Sequence, residues 1–173
     1  SRGLGDVYKR QSVDLSVSII SGNKFFLSPK TSSFTNFHPP NSLASLKKAS
    51  KQAPNIEYNR MEATLYLSYI SVNNNIDSLL NDAYKLPAKH MIKAEEIPEK
   101  IFLNNDNKTY GALFSVIGDA ASQLQFFVTD STKNFLMGSL YFYSRPNYDS
   151  IMPAAKYIER DVVHLMETLK WIN

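Results

Sequence analysis

The chain has 173 residues, 43% hydrophobic and 20% charged, a single-domain length with enough apolar content for a sizeable core. It has no cysteine, which excludes disulfides, thiolate metal sites and cysteine nucleophiles, and its best apolar runs, 15–20 and 63–70, fall far short of the roughly 20 residues of a membrane-spanning helix. The formal charge is +3, but Arg2, Lys9 and Arg10 against Asp6 put +2 of it in residues 1–11, and the +1 left for residues 12–173 argues against a nucleic-acid partner.

Residues 1–11, SRGLGDVYKRQ, resemble a run that opens many unrelated chains translated from assembled sequence fragments, and they are set aside as a foreign tail. On that reading the natural N-terminus, with any signal peptide or lipid-attachment cysteine, lies outside this sequence. Residues 12–36 form a poorly defined, Ser-rich N-terminal segment, with a strand expected at Val13–Ile20, a turn at Ser21-Gly22-Asn23 and a short run at Phe25-Phe26-Leu27. The remainder, 37–173, reads as a single α+β domain. His38-Pro39-Pro40-Asn41 is extended, because each proline pushes its predecessor out of the helical region, and Leu43–Leu46 is a strand candidate. Lys47, Lys48 and Lys51 have no interleaved aromatics and read as a solvated loop.

Pro54–Tyr58 precedes a strand over Met61–Ile70, in which Ala63, Leu65, Leu67 and Tyr69 share one face while Thr64, Tyr66 and Ser68 share the other. That alternation predicts a half-buried strand. Asn73-Asn74-Asn75 supplies N-cap candidates for a helix with Ile76, Leu79, Leu80, Ala83 and Leu86 at helical spacing, and Pro87 should end or kink it near Leu86.

From Ile97 the period changes to that of strands: Ile97–Leu103, Thr109–Ile117, Gln123–Asp130 and Phe135–Tyr143, separated by Asn104–Asn107, by Gly118-Asp119-Ala120 and by Asp130–Asn134. Short polar connections predict an antiparallel meander. Its last hairpin, within Gln123–Asn147, is apolar on both sides, with Leu124, Phe126 and Val128 alternating with Phe127, so each face of the sheet should be at least partly covered. Asp149–Trp171 then carries Ile151, Ala154, Ile158, Val162, Leu165 and Leu169 as one stripe, a long helix packed on the sheet with Pro153 in its first turn and Trp171 at its end. The fold class is therefore α+β, an antiparallel sheet ending in a four-strand meander, with one mid-chain and one long C-terminal helix.

The sequence assigns no catalytic, cofactor-binding or metal-ligating residue. His38, His90 and His164 stand in no metal-ligand pattern, and no glycine-rich phosphate cradle exists among six scattered glycines. A triad of Ser131, His164 and Asp130 lacks the glycines of a nucleophile elbow. Asp119, Asp130 and Asp149 sit where turns and caps need them, and Asn73, Asn147 and Gly111 read as positions fixed by backbone geometry. The tyrosines Tyr66, Tyr69, Tyr110, Tyr141, Tyr143 and Tyr148, with Trp171, suit half-exposed sheet faces and protein interfaces alike.

The blocks ATLYLSY from Ala63, VNNNIDSLLNDA from Val72, the KH and KA of KHMIKAEEI from Lys89, YG at Tyr110, GDAASQLQFFVTDS from Gly118, GSLYFYSRPNYDSIMPAAKYIERD from Gly138 and HLMETLKW from His164 follow one another over about two thirds of the chain. In them the chain resembles the gliding-motility lipoprotein GldD family of Bacteroidetes. The likeness is loose over Asn36–Lys48 and absent over residues 1–11. The resemblance implies a non-catalytic cell-envelope lipoprotein, lipid-anchored and facing the periplasm, required for gliding and the associated type IX secretion. Its partners would be other gliding or secretion envelope proteins, and the membrane through an anchor missing from this chain. No cofactor is implied. The order of elements is also similar to Mog1/PsbP-like folds, accessory domains of protein assemblies, a likeness of fold and not of function.

Two readings follow. In the first the domain is a protein-interaction module that docks through its sheet surface and tyrosines. In the alternative it is an envelope enzyme or small-ligand binder, which requires two or more of Asp119, Asp130, His164 and nearby tyrosines to converge in a pocket beside the meander.

Overall fold

The doubly apolar hairpin expected within Gln123–Asn147 forms the centre of the main sheet. A computed structural model describes residues 16–20, 24–28, 51–52, 55–89, 93–143 and 147–172. In chain order the elements are β1 (Ser16–Ile20), β2 (Lys24–Ser28), β3 (Lys51–Gln52), β4 (Ile56–Tyr58), a 3-10 turn at Asn59–Met61, β5 (Ala63–Ser71), α1 (Ile76–Ala88), β6 (Ala94–Glu96), β7 (Glu99–Asn104), β8 (Thr109–Ser115), β9 (Ile117–Gly118), β10 (Ser122–Thr129), β11 (Asn134–Phe142), α2 (Tyr148–Thr168) and β12 (Lys170–Ile172). The expected strand at Leu43–Leu46, the segment His38–Asn41, Lys47 and Lys48 lie outside the described residues, as does His90.

Runs of aromatic and β-branched residues bounded by turn formers pair as their alternation predicts. β7, β8, β10 and β11 form the meander, and β5 extends it to give the order β3-β5-β11-β10-β8-β7, with β4 also paired to β5. The register sets Phe126 opposite Gly138 and Val128 opposite Leu136 across the hairpin, and Phe127 opposite Ala112 on the other side. β1 and β2 pair antiparallel, and β12 lies parallel to β1 in a separate three-stranded sheet.

Both faces of the main sheet are covered, as the doubly apolar hairpin demands. On one face, Leu65, Leu113, Leu124, Phe126, Val128, Leu136 and Leu140 form a buried cluster with Ile158, Val162, Leu165 and Leu169 at the C-terminal end. On the other, Phe114, Phe127, Phe135 and Met137 are buried with Leu79 and Ala83 of α1. There Phe127 and Phe135 stack at 5.6 Å, and the Tyr84 ring meets Phe114 edge-on at 5.3 Å. The α+β class is thus realised with one helix on each face of the sheet.

Several local expectations change. Ile97–Leu103 is not one strand: Pro98 has no N–H for a ladder, so β6 pairs with β9 before it and β7 with β8 after it. The strand expected to reach Ile117 likewise divides into β8 and β9. β5 is buried on both faces, not one, since Thr64 and Tyr66 are as enclosed as Leu65, and the Thr64 and Tyr143 hydroxyls bond each other. Asn75 stands at the head of α1, but its side chain accepts the Asn73 N–H instead of capping the helix. Pro87 stays inside α1, which ends one residue later, and the Lys89 N–H reaches the Lys85 and Leu86 carbonyls at 3.3 Å.

The closing helix differs at both ends. It starts at Tyr148, which puts Pro153 beyond the first turn, on the exposed side, and deprives the Asp149 carbonyl of its usual i+4 donor. It ends at Thr168, because Leu169 takes extended geometry, and Trp171 stands on β12 instead of on the helix. The Trp171 Nε1–H donates to the Lys108 carbonyl at 3.2 Å. The predicted stripe from Ile151 to Leu169 is buried throughout, joined by Ala155 and Met166.

Candidate functional site

Among the described residues, the aspartates and His164 that could carry chemistry are not brought together by the fold. Asp130 closes the β10–β11 turn, where its Oδ1 accepts the N–H groups of Thr132, Lys133 and Asn134 at 2.9, 2.7 and 2.9 Å, while its Oδ2 accepts Asn134 Nδ2 at 2.6 Å. Burial alone would raise its pKa, but these donated hydrogen bonds outweigh it and hold the carboxyl below its ordinary range. Asn134 passes the network inward, accepting from the buried Tyr69 hydroxyl at 2.6 Å. Ser131 sits in the same turn with φ 64, its N–H bonded to Thr129 Oγ1. Turn geometry accounts for all of them.

Asp119 lies at the opposite end of β10, where its Oδ1 accepts the Tyr148 N–H at 2.8 Å. It replaces the missing side-chain cap of Asn147 at the head of α2 and places a negative charge at the helix N-terminus. Asp149 is exposed in the first turn of that helix, and His164 is exposed near its end. Among the described residues no hydrogen bond joins Ser131, His164 and Asp130.

An open groove of ≈ 270 Å³ does lie beside the meander, between the start of β7, the end of β8 and the first half of α2. Pro98, Lys100, Ser115, Met152, Lys156 and Glu159 are on its walls, and Ser115 Oγ donates to Glu159 Oε1 at 3.1 Å. Of the polar and tyrosine candidates singled out from the sequence, only Tyr148 lines it. The convergence that the enzyme or ligand-binding reading requires is not found among the described residues, and these contain no cluster of metal-ligating side chains.

The tyrosines divide in the same way. Tyr69 is core, Tyr66 and Tyr141 meet edge to face at 5.7 Å, and Tyr110 and Tyr148 are half-buried. Tyr143 is 56% exposed.

Sequence reasoning missed one polar site on α2. The buried Tyr58 hydroxyl donates to Asp161 Oδ2 at 3.2 Å, a pair 103 residues apart that no local pattern could reveal. Burial pushes Asp161 from its ordinary 3.8 up to about 6, against the opposing pull of the Tyr58 hydrogen bond and of His164. Burial, then the Asp161 charge, pushes the Tyr58 and Tyr157 hydroxyls up. An acid whose pKa is raised on folding contributes stability that is complete below its unfolded pKa and is lost as pH rises through the folded value. Stability should therefore fall across the window from about pH 4 to about pH 6. Asp161→Asn, which keeps an acceptor for Tyr58, is expected to flatten that slope and to raise the thermal midpoint near neutral pH. Melts of both proteins across the window check this, and parallel curves would remove Asp161 as their cause.

A second feature was also missed. Ile101 and Leu103 on β7 are 64% and 75% exposed, on a strand that among the described residues has a neighbour on one side only. The sequence carried their apolar character but not their position at the sheet edge.

Among the described residues, no helix is long and apolar enough to cross a membrane. No curated protein and no solved structure matches the chain, so the likeness to Mog1/PsbP-like folds stays one of element order. A family model described as gliding motility lipoprotein GldD matches residues 23–171. This range contains every block that carries the resemblance together with the whole main sheet and both helices, and the chain belongs to the gliding motility lipoprotein GldD family, cell-envelope lipoproteins associated with gliding.

Proposed function

We infer that this domain is a non-catalytic protein-interaction module of the cell envelope, lipid-anchored and facing the periplasm, that serves gliding and the associated type IX secretion. The family match over residues 23–171 carries the reading. It is supported by how the polar groups are used: Asp119 caps a helix, Asp130 closes a turn and Asp161 holds a tyrosine, whereas exposed apolar side chains stand on a sheet edge. Partners are other envelope proteins of the gliding and secretion apparatus.

The test is genetic. Deleting the gene in its native host should abolish both spreading on agar and release of type IX cargo, and a plasmid copy should restore them. A deletion strain that spreads and secretes normally would remove the reading, and one that loses only spreading would separate gliding from secretion.

A further inference from the structure

β7 is the last strand of the main sheet, and among the described residues no strand pairs with its outer side. The Ser115 N–H donates to the Pro98 carbonyl at 3.1 Å, and the β7–β8 register continues with Glu99 opposite Phe114. Antiparallel alternation then turns the peptide groups of Lys100, Phe102 and Asn104 toward β8 and those of Glu99, Ile101 and Leu103 outward. The outward-facing row coincides with the two most exposed apolar side chains, Ile101 and Leu103. Natural edge strands are guarded by charge, proline or a bulge. Here Pro98 and Glu99 guard only the start, and the Lys100 ammonium lies 5.0 Å over the Phe102 ring. The centre of the strand is left open.

We propose that β7 pairs antiparallel with β7 of a second copy of this chain, joining the two main sheets edge to edge; this rests on the interaction-module reading and names its surface. The occupant follows from self-complementarity. A two-fold pairing centred on Phe102 sets Ile101 opposite Leu103 of the other copy and Leu103 opposite its Ile101, and both residues direct their peptide groups outward as hydrogen-bonded pairs require. The same register sets Lys100 against Asn104 and Glu99 against Asn105, so no like charges face each other. A pairing centred on Ile101 instead sets Glu99 against Leu103 and Lys100 against Phe102. The Phe102-centred register is the one that matches apolar with apolar. Six residues bury less than a standard interface, so the dissociation constant should lie at about 1–100 µM.

Sedimentation equilibrium of the full chain, up to about 0.5 mM, reads this range directly. The expected result is a concentration-dependent shift from monomer to dimer mass. Ile101→Pro removes an outward N–H while leaving the β8 ladder intact, and should weaken the dimer at least about 10-fold. Leu103→Lys, an exposed change that cuts no backbone bond, should do the same and serves if the proline variant does not fold by circular dichroism. Asn104→Asp keeps the acceptor for the Asn107 N–H and places a carboxylate opposite Lys100 of the second copy, so it should tighten the dimer at low salt only. A chain that stays monomeric throughout overturns the proposal, as does a dimer indifferent to both edge variants. A monomeric chain whose Ile101→Pro variant folds but fails to restore spreading also overturns it, and assigns the edge to a strand of a different protein. Self-pairing through β7 in a chain whose deletion strain glides normally would leave the proposal standing and remove the functional reading.

Discussion

Leu165→Ala is expected to lower the stability of the domain by about 2–5 kcal/mol, a large share of the roughly 5–15 kcal/mol that holds a domain of this kind. Leu165 is fully enclosed on the inner stripe of α2, in the same buried cluster as Leu113, Leu136 and Leu140 of the sheet. Truncation removes its transfer energy and leaves a cavity that a sheet fixed by ladder hydrogen bonds cannot close. The contrast must come from an exposed residue, and Glu159, half-buried on α2, is unsuitable because it accepts a hydrogen bond from Ser115. Glu167 is exposed on the same helix, so Glu167→Ala should stay within about 0.5 kcal/mol. Urea melts of the two variants decide the matter: equal midpoints at unchanged slope would show that α2 does not dock through this stripe.

The parts of this fold legible in the sequence are those set by local pattern and repeated across an element. The meander strands were placed within a few residues because each is a run of aromatic and β-branched groups stopped by Asn, Asp or Gly, and the doubly apolar hairpin required cover on both sides. What escaped depends on partners far along the chain. Thr64 and Tyr66 look like a solvent face until Tyr143 supplies a hydroxyl partner and β4 and β11 flank their strand. Three residues, Lys170 to Ile172, carry too little pattern to separate a strand from a helix end, and their pairing partner is β1, at the other end of the chain. The same holds for the candidate surfaces. The period of Ile97–Leu103 identifies a strand, but only the sheet order makes β7 an edge among the described residues, where Ile101 and Leu103 stand exposed.

Gly111→Ala should be as damaging as the loss of Leu165, at about 3 kcal/mol or more, although it adds a single methyl group. Gly111 lies on β8, with Val128 of β10 on one side and Phe102 of β7 on the other. A Cβ there would fall onto the Phe127 carbonyl oxygen and within 3.1 and 3.2 Å of the Phe127 carbonyl carbon and the Val128 Cα. All three are backbone atoms of the neighbouring strand, so no rotamer change can clear them, and β8 and β10 must part or shift where both faces of the sheet are packed. Gly138 offers the comparison, since a Cβ at that position meets the Phe126 ring, a side chain. Gly138→Ala should cost about 1–3 kcal/mol by displacing that ring. A smaller side chain at 126 should relieve part of the cost, so Phe126→Leu and Gly138→Ala should be less than additive in a double-mutant cycle. Phe127→Leu should give Gly111→Ala no comparable relief, because the obstruction is the carbonyl group and not the ring. Chemical denaturation of the two cycles measures both couplings, and a Gly111→Ala protein as stable as Gly138→Ala, or one rescued by Phe127→Leu, would show that β8 and β10 do not approach as closely at Gly111 as described.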